Sequence, residues 1–465
     1  MKISDDVSPV YYILIFLLLV AIGFVIPNII GLTKVPTQNN DQPSQNSTNP
    51  TVDNSTLPNV DNSTLIPSFK LSVVGNKIID QDGKPVYLNG ITLWGDNFAT
   101  NSRQKYTVKR LNIYKEQGFN LVIFPLTWGA LEPNRDGVYS KSYISEVEEM
   151  VDLADSMGFY IIISMRVSVG NSMMENDYWN PEWCYAGQFS DVYRPDTWFD
   201  FYTSYLNAYS YLIDTFDDYE GVIGYNNWFY PFHGIDPETG LWATQAHIII
   251  HYEERLTPLF QEMLREKTDK IWFWSACSQG DSWTPEVYEI VTQGLSQISD
   301  EYPNGELMND PASSTGLFDP DSNRTSPYHY KQDIGYPMKP IDDNNIVYCA
   351  NFHRPWNVEK ISREPKNWTG TDLQKAYIDE QLRGLNKFIK KYNVTGMIIE
   401  FALEETHTGD QPQYRIDCLD YKMKVLSEHG IHWAYFNQGR SLILNESTDW
   451  ELNNVGELLV RYINK

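Results

Sequence analysis

The stretch Asn120-Leu-Val-Ile-Phe-Pro-Leu-Thr-Trp128 is an apolar run rich in β-branched and aromatic residues. A run of this length and composition predicts a buried β-strand. It is followed by Tyr143–Met157, where apolar residues recur three and four positions apart as in an amphipathic helix, and then by a second apolar run, Tyr160–Ser164. A strand, a helix and a strand in this order pair their strands in parallel.

The same alternation continues on both sides of this unit. Amphipathic stretches at Glu253–Lys267 and Leu373–Tyr392 predict further helices. The other apolar runs are Val86–Trp94, Val222–Trp228, Lys270–Ala276, Ile346–Phe352, Gly396–Phe401 and Ile431–Phe436. Eight strand-helix units close naturally into a (β/α)8 TIM barrel, so the fold class is α/β. The alternative is an open doubly wound sheet, but no GxGxxG motif follows an early strand.

The barrel is predicted to occupy residues 69–465 and to begin with a short β-hairpin. Its first arm is Leu71–Asp80, and the turn residues of Asp82–Pro85 follow that arm. Residues at the carboxyl ends of the strands form the active site of such barrels. The loops that follow Trp128 and the sixth strand are therefore candidate parts of the site.

The N-terminal region is predicted to hold a membrane anchor. No charged residue occurs from Val7 to Ile30, and residues 10–31 form one apolar segment long enough to cross a bilayer as a helix. A short cytoplasmic leader, residues 1–9, precedes it. We favour an uncleaved anchor over a signal peptide because the leader is not basic and no Ala-x-Ala-like exit follows. The stretch Asp6-Val-Ser-Pro-Val10 faintly resembles the start of archaeal pilin-like membrane segments.

Residues 32–68 are predicted to be a disordered linker. Pro, Asn, Gln, Ser, Thr and Asp dominate it, and such a segment cannot bury enough apolar surface to fold. It contains a tandem repeat, Val52–Asn59 and Val60–Pro67. Glycosylation sequons occur at Asn46, Asn54, Asn62, Asn323, Asn367, Asn393 and Asn445. A polar stalk with spaced sequons favours a single-pass protein whose barrel lies on the extracytoplasmic side, at the cell surface.

Charge and cysteine content exclude several classes of partner. The net charge is −25, and residues 1–68 contain two lysines and five aspartates, so the barrel carries about −22. Such a surface repels phosphate backbones, which argues against nucleic acid as a partner. The four cysteines are scattered and form no CxxC pair, so no metal and no cofactor is expected. Free buried thiols are favoured over disulfides.

Several of these runs together resemble the cellulase-like glycoside hydrolase family 5. The resemblance is carried in order by Val74–Ile91, by Gly118-Phe-Asn-Leu-Val122 with Trp128 and Glu132-Pro133, by Val222-Ile-Gly-Tyr225 and by Glu400-Phe401. It extends from about residue 69 to about residue 437. The family resemblance implies a retaining glycosidase with two carboxylates, a nucleophile at the end of the seventh barrel strand and an acid/base after the fourth.

The resemblance assigns Glu400 as the nucleophile, because Met397-Ile-Ile-Glu-Phe401 is an apolar strand that ends in a carboxylate. The acid/base position of the family is occupied by Tyr230, after Phe229. His353 matches the family's sixth-strand histidine.

Other positions also depart from the family pattern. Ile123 stands where the family has an arginine, Arg166 where the third strand often ends in histidine, and Phe436 where a sugar-stacking tryptophan is expected. Replacement acids are then Asp310 in the long loop after the fifth strand, or Glu404 and Glu405 just past the nucleophile position.

Aromatic residues near strand ends are candidates for a sugar-binding platform, since pyranose faces stack on aromatic rings. The predicted substrate-binding residues are Trp94, Trp128, Trp228, Trp356, Trp433 and Arg166. Barrel cores also take up aromatic residues, and we expect about half of the aromatic candidates, which also include Tyr230 and Trp283, to serve packing only.

Three functional hypotheses remain open at this point. The first is a membrane-anchored glycosidase that hydrolyses a neutral oligo- or polysaccharide. The second is a catalytically impaired pseudoenzyme that binds carbohydrate at the cell surface, which the residues at positions 123, 229 and 230 favour. The third is a barrel enzyme of different chemistry that uses Arg166 and His353. A fold alone does not choose among them.

Overall fold

A computed structural model describes residues 70–93, 108–169, 181, 183, 198–231, 256–275, 340–352, 368–403, 410–436, 443–445 and 451–463. All of them belong to one unit of the chain, residues 65–465. The predicted leader, anchor and linker, and the sequons within the linker, lie outside these residues. Within the described part no helix combines the length and the apolar character needed to cross a membrane.

Eight parallel strands close into a barrel, as predicted. They follow one another around the barrel in chain order, and the last pairs with the first. The strands are β4 (Asn89–Thr92), β5 (Leu121–Thr127), β6 (Tyr160–Val169), β7 (Val222–Pro231), β8 (Ile271–Ser275), β9 (Ile346–Asn351), β10 (Thr395–Glu400) and β11 (His432–Phe436). Where the structure describes the side chains of these strands, they are almost continuously buried, which is typical of strands covered on both faces.

Two strands extend further than their apolar runs indicate. The predicted runs ended at Ser164 and Trp228, whereas β6 continues to Val169 and β7 to Pro231. These two strands remain paired with each other over the added length, up to Val169 opposite Pro231. Mutual hydrogen bonding therefore carries them beyond the point where hydrophobic patterning ends, because a ladder satisfies backbone groups whatever the side chains are.

The N-terminal hairpin is a three-stranded sheet instead of a single hairpin. Its strands are β1 (Ser72–Val74), β2 (Lys77–Ile79) and β3 (Pro85–Val86), all antiparallel. The prediction missed the first turn, where Gly75 has φ +61° and allows a tight reversal. In the second turn the Asp80 carboxylate accepts hydrogen bonds from the backbone N–H groups of Asp82 and Lys84.

Helices cover the outside of the barrel and confirm the three predicted helical stretches. They are α1 (Val108–Glu116), α2 (Trp128–Leu131), α3 (Lys141–Ser156), α4 (Trp198–Phe216), α5 (Thr257–Lys267), α6 (Asp372–Tyr392), α7 (Gln413–Glu428) and α8 (Asn454–Ile463). A short two-stranded sheet, β12 (Leu444–Asn445) with β13 (Glu451–Leu452), precedes α8.

Local capping explains where helix α6 begins and ends. Thr371 and Gln374 form a capping box, in which each side chain binds the backbone N–H of the other residue. At the other end Asn393 adopts a left-handed conformation with φ 52°, which asparagine tolerates better than most residues. Strand β10 starts two residues later, so this cap sets the entry into the strand that carries Glu400.

The two cysteines that the structure describes are buried. Cys349 lies in β9 and Cys418 in α7, and neither forms a disulfide. Burial raises the pKa of the Cys349 thiol well above its usual range. Both residues therefore act as small core residues.

His432 is a buried titratable group in the wall of the barrel. Its Nδ1 accepts a hydrogen bond of 3.0 Å from the backbone N–H of Leu88, and its ring centroid lies 4.9 Å from that of Tyr87. Burial lowers the pKa of His432 to about 4, because the charged imidazolium would lose its hydration. Protonation at Nδ1 would also break the bond from Leu88.

We predict that His432 makes the fold less stable as the pH falls from about 6.5 to about 4. The unfolded histidine binds a proton in this window and the folded one does not, so stability decreases with acidification. Urea unfolding at pH 7 and pH 4 measures the loss. The His432→Gln variant, which keeps an acceptor, should lose about 2 to 3 kcal/mol less than the wild type between these pH values. Equal losses in the two proteins would contradict the assignment.

Candidate active site at the carboxyl ends of the strands

The carboxyl ends of the eight strands carry one carboxylate in the part of the chain that the structure describes. The residues that end the barrel strands are Thr92, Thr127, Val169, Pro231, Ser275, Asn351, Glu400 and Phe436. Barrels of this kind place their active sites at this face. Glu400 is 5% exposed, and among the described residues only it and Glu132 are buried glutamates.

The side chain of Glu400 would face away from the barrel if β10 were regular. At Gly396 an added Cβ would lie 2.3 Å from Ile389 Cδ1 of helix α6, so this position points outward. Side chains alternate along a strand. Ile398 therefore shares the outward side, and Glu400 would also share it without an irregularity.

A β-bulge reverses this alternation just before the carboxylate. Ile398 lies opposite Ala350 of β9, and Glu400 lies opposite the next residue, Asn351, so Ile399 has no counterpart on β9. An extra residue of this kind bends a strand and re-aims the side chain that follows it. The bulge thus turns Glu400 toward the inside of the barrel.

Asn351 confirms the direction. It lies three residues after Tyr348, whose ring packs outward against Phe388 of α6 at 4.9 Å. By alternation Asn351 faces inward, where it is 7% exposed. Asn351 and Glu400 therefore stand side by side on the inner wall. An amide beside a carboxylate can donate a hydrogen bond to it or to a ligand.

The backbone around Glu400 is held from both neighbouring sides of the barrel. Phe352 N donates to Glu400 O at 2.7 Å, and Phe436 N donates to Phe401 O at 2.9 Å. Leu403 N donates to the Tyr435 hydroxyl at 3.2 Å. The chain that leaves β10 is therefore fixed over several residues, which limits how far the carboxylate can move.

A buried cation lies beneath the same corner of the barrel. Lys422 of α7 is 1% exposed, and its Nζ donates to Phe352 O at 3.2 Å. The same Nζ lies 4.8 Å from the centroid of the Phe352 ring. Phe352 thus links Lys422 on its carbonyl side to Glu400 on its amide side.

A second polar cluster joins three strands on the opposite side of the barrel. Asn226 of β7 is fully buried; its Oδ1 accepts from Ser164 Oγ at 2.7 Å. Its Nδ2 donates to Phe273 O at 2.6 Å and to Ser275 Oγ at 2.8 Å. All hydrogen-bonding groups of this amide side chain are engaged, so the cluster is a structural tie between β6, β7 and β8.

The acid/base position implied by the family resemblance lies near the end of β7. Tyr230 is the penultimate residue of that strand and pairs with Ser168 of β6. β7 is the fourth strand of the barrel and β10 the seventh. The position where the family carries an arginine is Ile123 in β5, and this side chain is 1% exposed. An apolar side chain therefore fills that place.

Trp128 and Glu132 form a buried pair after β5. The indole Nε1 of Trp128 donates to Glu132 Oε2 at 2.5 Å, and Gly137 N donates to Oε1 at 2.5 Å. Trp183 Nε1 binds the backbone carbonyl of Glu132 at 2.8 Å. Burial raises the pKa of Glu132, and the Trp128 and Gly137 donors oppose that shift. Both carboxylate oxygens are used to close the loop, so Glu132 acts as a structural carboxylate.

Two of the predicted sugar-stacking tryptophans serve packing instead. Trp128 is fully buried and meets Trp183 and Tyr205 edge to face. Trp433 is 1% exposed and sits between the rings of Phe119 and Phe401. Sugar stacking needs an exposed ring face, and the described contacts cover both rings.

The remaining predicted site residues divide into two groups. Trp228 and Arg166 lie in β7 and β6 and are paired with each other in the backbone register, but the structure does not describe their side chains. The others lie outside the described residues: Trp94, His353, Trp356, Asp310, Glu404 and Glu405. Within the described part no group of three or more His, Cys, Asp or Glu side chains could hold a metal ion.

The sequence analysis missed three polar residues that the structure brings to the inner wall: Thr92, Asn226 and Asn351. Each is buried within or at the end of an otherwise apolar strand. A polar side chain in such a run needs a partner, because burial without one is costly. That mismatch is the signal that could have identified them.

Three solved structures share the (β/α)8 barrel fold, and one of them is a glycoside hydrolase family 5 endoglucanase. Endo-glycoceramidase II from Rhodococcus sp. superposes with a TM-score of 0.55 at 17% identity, over 84% of this chain and 81% of that one. A broad-specificity endoglucanase from Clostridium acetobutylicum gives 0.53 at 12% identity, over 82% and 97%. Cel5A of Thermotoga maritima, in complex with cellobiose, gives 0.51 at 13% identity, over 81% and 97%.

The match to a sequence family covers less of the chain than the structural matches do. The family model for cellulase (glycosyl hydrolase family 5) matches residues 79–224. This segment contains the first three barrel strands and the start of the fourth, and it ends before Tyr230 and Glu400. No curated protein sequence matches the chain.

We predict that replacing Trp128 with Phe weakens the fold and leaves ligand binding by the folded protein unchanged. The variant removes the indole N–H from a buried carboxylate, and it should lower the free energy of unfolding by about 1.5 to 3 kcal/mol. Trp183→Phe is the matched control, since that indole donates to a backbone carbonyl and is only half-buried. The control should lose about 0.5 to 1.5 kcal/mol in urea titrations. A larger loss in the control, or a loss of oligosaccharide affinity in folded Trp128→Phe, would contradict the packing role.

Proposed function

We propose that this protein is a glycosidase that hydrolyses O-glycosidic bonds of a neutral oligo- or polysaccharide, with Glu400 as the nucleophile of a retaining mechanism. The observation that carries the proposal is the β-bulge at Ile399. This bulge directs the buried Glu400 carboxylate toward the interior at the end of the barrel where such enzymes have their active sites.

In the proposed mechanism a Glu400 oxygen attacks the anomeric carbon of the bound sugar as the glycosidic bond to the leaving oxygen breaks. An acid donates a proton to that oxygen, and a glycosyl-enzyme ester forms. Water, deprotonated by the conjugate base of the same acid, then attacks the anomeric carbon and releases Glu400. Endo-glycoceramidase II from Rhodococcus sp., which shares the fold, has been solved as a lactosyl-enzyme intermediate. That precedent supports a covalent step on this scaffold.

The proton for the leaving oxygen has to come from a residue other than a glutamate at position 230. Phenols have an ordinary pKa near 10, about 3 to 4 units above that of a tuned glutamate, so a tyrosine acid would cost on the order of 10²-fold in the first step. Asp310, Glu404 and Glu405 are the carboxylate alternatives from the loops. The barrel charge of about −22 favours a neutral glycan over an acidic one.

The second candidate function is carbohydrate binding without turnover. Ile123 favours it, because a buried apolar side chain occupies the position of the family's arginine and supplies no charge near the nucleophile. The absence of a carboxylate at position 230 favours it as well. In this case the barrel would keep a sugar cleft and lose the second half of the catalytic pair. The third hypothesis, chemistry built on Arg166 and His353, concerns side chains that lie outside the described part of the chain.

We place the barrel outside the cytoplasmic membrane, tethered through residues 10–31 and the linker of residues 32–68. The uncharged segment supports the tether, and the sequons at Asn46, Asn54 and Asn62 support the side. A linker of this composition would behave as an extended, solvated spacer.

The enzymatic proposal predicts hydrolysis of aryl β-glycosides with good leaving groups. Such substrates need little acid assistance, so they should be cleaved even if the acid is poor. Replacing Glu400 with Gln should abolish release of the phenol, because the amide is not a nucleophile at the anomeric carbon. The full-length protein in detergent and the soluble barrel should behave alike if the barrel is the catalytic unit.

The matched control for this experiment is Glu132→Gln, the other buried glutamate in the described part. It should lower stability and retain hydrolysis at a temperature where the variant is folded. Release that persists in Glu400→Gln would exclude this residue as the nucleophile. If neither the wild type nor Glu400→Gln releases the phenol and both bind oligosaccharide measurably, the glycosidase proposal fails and carbohydrate binding without turnover takes its place.

The proposed topology predicts that the stalk is modified in a glycosylating host. Expression in such a host should attach glycans to all three linker sequons and so increase the mass of the peptides that contain them. Asn→Gln replacements at those positions should remove the increase. Mass spectrometry of membrane fractions measures the occupancy. Unmodified linker sequons, on a protein that remains in the membrane fraction, would argue for a barrel on the cytoplasmic side.

A further inference from the structure

A threonine on the first barrel strand binds the irregular residue of the seventh. Thr92 Oγ1 donates to Ile399 O at 2.9 Å, and the threonine side chain is fully buried. Strand β11 lies between β4 and β10 in the barrel order. The bond therefore bridges two strands that are not neighbours, so it is not part of any strand ladder.

The carbonyl that Thr92 binds belongs to the peptide group directly before Glu400. Ile399 is the bulge residue without a counterpart on β9. Because a peptide group is planar, fixing the Ile399 carbonyl also fixes the N–H of Glu400. The following peptide group is held by Phe352 N, which donates to Glu400 O at 2.7 Å. Both planes that flank the Glu400 Cα are thus restrained.

Restraint of both planes sets the direction of the Cα–Cβ bond of Glu400. The Phe352 contact is a backbone bond that nearly any residue could make. The Thr92 contact needs a hydroxyl at the end of β4, so it is the part of this arrangement that the sequence specifies by a side chain. A bulge can relax toward a regular strand or change its twist when its polar groups lose their partners.

We propose that Thr92 is a positioning residue for the nucleophile: its hydroxyl holds the Ile399 bulge and so aims the Glu400 carboxylate into the active site. The catalytic part of this inference rests on the proposed glycosidase function, whereas the hold on the bulge can be measured separately.

The test compares Thr92→Val, which replaces the hydroxyl with a methyl group of similar size, with Thr92→Ser, which keeps the donor. The matched control is Thr395→Val. Thr395 is also buried and lies in β10, at the opposite end of that strand from Glu400. Its hydroxyl donates to a backbone carbonyl, Gly75 O, at 3.1 Å. Thr92→Cys, with a weak S–H donor, takes the place of the valine variant if that variant does not fold.

Two readouts are taken on the same preparations. The first is kcat and KM on an aryl β-glycoside, and the second is amide hydrogen exchange of the peptide that spans residues 399–401. In Thr92→Val, kcat should fall by about 10- to 100-fold with KM changed by less than about threefold, because the reacting group is misaimed while the sugar still binds. Exchange of that peptide should become faster.

Thr92→Ser should recover both readouts to near the wild-type values. Thr395→Val should unfold at a lower urea concentration and keep kcat and the exchange of residues 399–401. The inference is overturned if Thr92→Val retains kcat and exchange, or if Thr395→Val loses kcat to the same extent.

A different outcome would separate this inference from the proposed function. If the wild type hydrolyses no glycoside, the glycosidase proposal fails and the exchange measurement decides the role of Thr92. Faster exchange in Thr92→Val and not in Thr395→Val then shows that the hydroxyl holds the bulge. Unchanged exchange in both overturns that role as well.

Discussion

The structure depends on one constraint: eight strands must close a single hydrogen-bonded ring, so any residue added to one strand has to be absorbed locally. Strand β10 adds Ile399 without a counterpart on β9. The irregularity is confined to one residue, whose carbonyl accepts a hydrogen bond from Thr92, and the ring is closed. The direction of Glu400 is a consequence of how this closure is achieved, since the residue after a bulge reverses its facing.

The two polar groups of the inner wall have different tasks. Asn226 has its whole amide engaged by Ser164, Phe273 and Ser275, so it stiffens the side of the barrel that leads to the acid/base position. Asn351 stands beside Glu400 at the end of its strand. The amide of Asn226 has its hydrogen-bonding groups engaged within the wall, so it supports the structure of the barrel. The amide of Asn351 lies next to the carboxylate, where it can bind a ligand.

Much of the fold could be predicted because its signal repeats. Eight apolar runs alternate with amphipathic stretches, and burial on both faces of a parallel sheet requires that pattern. The first turn of the N-terminal sheet was missed because one glycine, Gly75, does not interrupt a β-rich run strongly enough to be seen. The extension of β6 and β7 was missed because it depends on their pairing with each other.

The candidate site was only partly predictable, for a related reason. Glu400 could be identified because a carboxylate at the end of a buried run is costly unless it is used. The bulge could not, because Met397-Ile-Ile-Glu400 reads as a regular strand, and only the register with β9 shows the extra residue. The tryptophans show the converse: position near a strand end suggests sugar stacking, yet Trp128 and Trp433 are enclosed by neighbouring rings that come from distant parts of the chain. Patterning along the chain therefore locates the carboxylate, and contacts across the barrel decide what surrounds it and where it points.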